Sequence, residues 1–116
     1  METRGILDAF ASLGIRSREM RVTGGYTRIP VWNRILADVC GMTVTTLKNP
    51  HASLAGAAVL AWVGTGRFPS PAHAAAQMLK AARTFLPEHR NVRLYRAIRA
   101  RYDKVYDGLH THEKQT

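Results

Sequence analysis

The stretch Arg21-Val22-Thr23-Gly24-Gly25-Tyr26-Thr27-Arg28-Ile29-Pro30 decides how this chain is read. A short β-prone run leads into two adjacent glycines, and a proline then opens a segment in which Trp32, Ile35, Leu36 and Val39 recur at three and four residues. The order is strand, glycine turn, helix. Glycine serves where the chain turns sharply or where another group must approach the backbone closely. The pair is therefore either a turn or room for a ligand.

Working outward, Thr3 to Leu13 reads as a helix with Ile6, Leu7, Phe10 and Leu13 on one side and Gly14 as its left-handed stop. Met20 to Thr23 is a short strand. Gly41 closes the helix opened by Pro30, and the β-branched run Thr43 to Leu47 is a second strand. His51 to Val63 is small and apolar and reads as a helix buried over much of its surface, with Gly64 as its stop. Ser70-Pro71 is a cap followed by a first-turn proline, which predicts a helix over Ala72 to Phe85, and Asn91 caps a final helix to about Leu109. The expected fold is α/β, with two short strands and about five helices. Two strands make a marginal sheet, so the chain is expected either to pair with itself or to be one end of a larger sheet.

Composition bounds the function. The 116 residues fit one domain, and with 46% hydrophobic residues the chain is far from a disordered composition. The apolar run around Leu54 to Val63 is too short to span a bilayer, the N-terminus lacks a signal region, and a single cysteine, Cys40, forms no internal disulfide. A soluble protein of the reducing cytoplasm is the expectation. The formal charge of +9 calls for an anionic partner. Many of the cations, Arg83, Arg90, Arg93, Arg96, Arg99 and Arg101 among them, fall between Lys80 and Lys104. There they share a helical pattern with the stripe Tyr95, Ile98, Tyr102, Val105 and Leu109, whose spacing favours burial over base stacking. A basic nucleic-acid-binding module is the alternative reading.

No phosphate loop of the G-x-x-x-x-G-K-[ST] form is present, and Gly64-Thr65-Gly66 follows a helix, as a stop and turn would. His110, His112 and Glu113 have metal-ligand chemistry but sit in a polar tail without a further ligand, and the eight acidic residues show no paired arrangement. No metal site and no catalytic residue is assigned. Cys40, near a helix end, reads as a small core residue.

Residues 21 to 44, RVTGGYTRIPVWNRILADVCGMTV, resemble the C-terminal domain of the FGGY carbohydrate kinases, the group that includes xylulokinase, ribulokinase and glycerol kinase. Leu54-Ala55-Gly56-Ala57-Ala58 and Gly64-Thr65-Gly66 are similar to the family's small-residue helix and following turn. Pro87 with Tyr95, Tyr102 and Tyr106 is similar to its C-terminal proline and tyrosine-bearing helix. The resemblance runs in order along essentially the whole chain.

It implies a sugar kinase built from two actin-like, ribonuclease-H-like domains that close around ATP and sugar. Residues 1–116 would be a single segment, the final two strands and the surrounding helices of the second domain. Gly24 and Gly25 would then lie against the adenosine of ATP, and Tyr26, Thr27 and Arg28 complete the expected nucleotide-binding set. Tyr26 stands where many relatives have a third glycine, Ile29 where they have a polar residue, and His51 near where they often carry a glutamate. Asp38 fits the family motif and is read as a capping or hydrogen-bonding residue, and Gly56 as allowing close packing of its helix on the sheet. The general base, the phosphate loops and most of the sugar pocket would lie upstream. The chain alone is therefore expected to be inactive, with Mg-ATP acting only in the complete enzyme. The implied partners are an adenine nucleotide and the N-terminal portion of the kinase or a second copy, with no membrane.

Overall fold

The computed structural model of the chain describes residues 1–111. Its elements are α1 (Glu2–Ser12), β1 (Glu19–Val22), a 3-10 turn (Gly25–Arg28), α2 (Pro30–Cys40), β2 (Thr43–Leu47), α3 (Ala52–Gly64), α4 (Pro71–Met78), β3 (Ala81–Phe85) and α5 (His89–Thr111). β1 runs parallel to β2, with Met20 opposite Val44, and the connection through α2 makes this a βαβ unit. β3 adds antiparallel on the other side of β2, giving the order β1-β2-β3. The sheet thus has three strands where the sequence predicts two. Residues 81–85 are a strand and not the end of a helix, because the open edge of β2 supplies hydrogen bonds to Ala81–Phe85 that outweigh the helical preference of Ala81-Ala82.

The helix ends are set by glycine chemistry. After α1, Gly14 takes φ 82°, its amide donates to Ala11 O (3.0 Å) and Ile15 returns to Phe10 O (2.9 Å). The same pair of bonds closes α3 at Gly66, φ 72°, with Gly66 N to Val63 O (3.0 Å) and Arg67 N to Trp62 O (2.9 Å). Gly64 is therefore still helical, and the stop lies two residues later than predicted. Ser70 Oγ accepts the His73 amide at 3.3 Å, the cap expected for α4.

The N-terminus of α5 is capped from another element. Asp38, buried on α2, accepts the Glu88 amide at Oδ1 (2.7 Å) and the Asn91 side-chain amide at Oδ2 (2.9 Å). A carboxylate at the positive end of a long helix is favourably placed. Asn91 lies within the first turn and does not itself cap the helix. In the same last turn of α2, Arg4 donates to Cys40 O (2.6 Å). Asp8 pairs with both Arg4 (2.8 Å) and Arg99 (3.1 Å), tying α1 to α2 and α5.

The buried apolar set is small: Ala37, Cys40, Val44, Ala55, Val59 and Ala74. α2 buries Asn33, Ala37, Asp38 and Cys40 and leaves Trp32 and Ile35 exposed, so its inner face is the small and polar one and not the predicted large apolar stripe. α3 buries only Ala55 and Val59, packing chiefly on α4, while Leu54 is 70% and Leu60 66% exposed. Gly56 faces open space, so its missing side chain permits no close helix-on-sheet contact. Ile98, Tyr102 and Val105 are likewise exposed on α5. These patterns encode apolar faces that nothing in the described residues covers. The radius of gyration, 18.1 Å, expresses the same openness, since a compact domain of this length would have about 13 Å.

Candidate functional site

The parallel strands β1 and β2 both point their carboxyl ends at one edge of the sheet, the place where α/β folds bind ligands. Two segments emerge there: Thr23 to Arg28 after β1, and Lys48 to His51 after β2. Backbone and hydroxyl bonds fasten them together. Gly24 N donates to Pro50 O (3.0 Å), and Thr23 Oγ1 donates to the same carbonyl (3.1 Å). Asn49 Oδ1 accepts the His51 amide (2.9 Å), a local turn that leads into α3.

The two glycines do different work. Gly24 has φ 96° and ψ −174°, a region open essentially only to glycine, so it is required by the turn itself. Gly25 has no such φ, and a β-carbon built on it would meet nothing within 4 Å. Its lack of a side chain leaves open space rather than relieving a clash. The turn that follows is held by Asn33, buried on α2, whose amide nitrogen donates to Ile29 O (3.0 Å) and Thr27 O (3.2 Å) and lies 3.4 Å from Tyr26 O. Asn33 Oδ1 has no partner among the described residues. Thr27 Oγ1 closes the turn onto Gly24 O (2.7 Å).

The predicted site residues are divided between two cavities that share Pro50. Gly24 lines one of about 410 Å³ with Thr23, His51, Ser53 and Leu54. Thr27 and Arg28 line another of about 420 Å³ with Lys48 and Arg83. Both volumes suit a small ligand. Gly25 and Tyr26 line neither. The Tyr26 ring stacks on Trp32, centroids 5.8 Å apart, and is 66% exposed. Sequence reasoning missed Asn33, whose signal was its i, i+4, i+7 spacing with Ala37 and Cys40. It also missed the second wall, Pro50 to Leu54, which only the fold brings against Gly24.

Among the described residues no group of three or more His, Cys, Asp or Glu is placed to hold a metal, and no helix is long and apolar enough to cross a membrane. His112 and Glu113 of the tail lie outside the described residues.

A strand, glycine turn and helix at the carboxyl edge of a parallel pair define an α/β unit with a candidate ligand site at that edge. Residues 1–65 match the C-terminal domain of the FGGY family of carbohydrate kinases. The chain belongs to that family. It is 30% identical to an FGGY carbohydrate kinase domain-containing protein from Xenopus laevis over 97% of its own length and 20% of the relative's. It is also 30% identical to the xylulose kinase of Bacillus subtilis over 93% of its length and 21% of that protein. The crystal structure of xylulose kinase from Rhodospirillum rubrum superposes with a TM-score of 0.78 at 25% identity, covering 96% of this chain and 22% of that one. The fold is thus part of the actin-like architecture of the sugar kinases. The chain spans about a fifth of the length of the curated relatives it matches.

Proposed function

We propose that residues 1–116 form the last part of the second actin-like domain of an ATP-dependent carbohydrate kinase, contribute the adenosine side of its nucleotide site, and are inactive alone. The observation that carries this reading is the glycine turn at the carboxyl edge of β1 and β2, in which Gly24 is held to Pro50 O and lines a cavity of about 410 Å³, with Gly25 next to it in the turn. Family membership supplies the chemistry: transfer of a phosphoryl group from ATP to a sugar or polyol hydroxyl, by positioning and charge stabilisation. Within this chain, Gly24 fixes the turn, Gly25 keeps the approach to the backbone clear, and Pro50 to Leu54 form the opposite wall. Tyr26, stacked on Trp32 and exposed, follows Gly25 in the turn and is left available to a bound base. Thr27 and Arg28 stand at the far side of Pro50, toward the cationic cavity. Among the described acidic residues, Asp8, Glu19 and Asp103 form ion pairs and Asp38 caps α5, and none is assigned as the general base. That role, the phosphate loops and the sugar pocket belong to the remainder of a complete kinase.

Calorimetric titration with ADP tests the reading. The wild-type chain binds the nucleotide, and Gly25→Val, which adds a side chain into open space and leaves the fold intact, binds it at least about tenfold more weakly. Equal binding by two folded proteins would reduce the glycine pair to a turn.

A further inference from the structure

The second cavity carries a charge pattern that the adenosine reading does not use. Arg28 ends the 3-10 turn, Lys48 follows β2, and Arg83 lies in β3 opposite Thr46, yet the three line one cavity of about 420 Å³. No lining residue is acidic, and among the described residues none of the three cations forms an ion pair. By contrast Arg4, Arg21 and Arg99 each have a carboxylate partner. The fold itself gathers the cations: the Lys48 amide donates to Lys80 O (2.9 Å), and the Thr46 hydroxyl both accepts from Arg83 N (3.2 Å) and donates to Arg83 O (3.3 Å). These bonds fix the backbones from which Lys48 and Arg83 project, while Asn33 and Thr27 fix the turn that ends in Arg28.

Like charges held at one concavity without countercharge disfavour one another and favour a multiply charged anion. Two guanidinium forks and an ammonium group match the oxygens of a phosphate group. A cavity of this size fits a small anion rather than an extended polyanion. We infer that the Arg28–Lys48–Arg83 cavity is a binding site for a phosphate group. The inference does not depend on adenosine occupying the neighbouring cavity.

The test is a titration of the whole chain with inorganic phosphate at constant ionic strength, followed by amide NMR. Saturable shifts are expected at Thr27, Arg28, Lys48 and Arg83. The double variant Lys48→Gln/Arg83→Gln should weaken binding by about tenfold or more, the loss expected for charge-assisted hydrogen bonds. The control Arg93→Gln/Arg101→Gln removes the same charge from exposed positions of α5 and should leave the affinity unchanged. Repeating the titration with ATP present separates two sources of the phosphate. Exclusion of phosphate by ATP assigns the cavity to the nucleotide's own phosphates, and an unchanged phosphate affinity assigns it to a separate phosphorylated ligand. Both results uphold the site. Shifts that do not saturate, or an equal loss in the two double variants, would show only a diffuse response to net charge and overturn it.

Discussion

At the scale of single residues, Gly24 and Gly25 separate two uses of the same amino acid. Gly24 occupies backbone that other residues enter only under strain, so Gly24→Ala should cost about 1–3 kcal/mol of stability, measured by urea denaturation. Gly25→Ala should leave the denaturation midpoint almost unchanged. Asp38 offers a second contrast. Its two acceptor bonds hold the start of α5, so Asp38→Ala should cost about 1.5–3 kcal/mol, whereas Asp38→Asn keeps one acceptor and should lose less. Cys40 is fully buried, and burial pushes its thiol above the ordinary value of 9.0, against a smaller opposing pull from Arg4. Alkylation by iodoacetamide should therefore be slow in the native chain and fast in denaturant. A thiol whose folded value is raised stabilises the fold below its ordinary pKa, and the contribution is lost as pH rises through the folded value. Cys40→Ala should accordingly flatten the fall in stability above about pH 9 relative to the parent chain.

At the scale of elements, what was legible in the sequence was what local chemistry decides. Gly14, Gly41 and Ser70-Pro71 set their helix ends through their own backbone conformation or hydroxyl, and the β-branched Thr43–Leu47 forms the central strand. β3 was not legible, because Ala81-Ala82 has no strand preference of its own and is extended only by pairing with β2, across the chain. Burial was misread for a different reason. The large apolar residues of α2, α3 and α5 follow helical spacing, yet nothing in the described residues covers them, and the residues facing inward are small or polar. The site was half legible: the glycine turn stands in one short stretch, whereas its opposite wall and the cluster of Arg28, Lys48 and Arg83 are assembled from segments far apart in sequence. The exposed side of α3 makes a prediction at this scale. Leu60→Lys should change the chain's own stability by no more than about 0.5 kcal/mol. It should weaken any association through α3 by about 1.5–3 kcal/mol, read as a shift in the sedimentation isotherm.

At the scale of the whole molecule, the accessible surface is 8898 Å², against about 6,300 Å² for a compact protein of this mass. That excess, the two outer sheet edges left unpaired among the described residues, and exposed Leu54, Leu60 and Trp32 leave strand edges and apolar surface open to a partner. The chain should self-associate as its concentration rises, and a polypeptide carrying the preceding portion of its kinase should replace that self-association with a stoichiometric complex. Backbone hydrogen exchange with and without saturating ATP tests whether this chain carries the adenosine side of a nucleotide site. Slowed exchange is expected at Thr23 to Gly25 and Pro50 to Leu54, and Gly25→Val should abolish it. Protection that falls instead along α5, or unaltered exchange at both segments in a chain that calorimetry shows to bind ATP, would contradict that assignment.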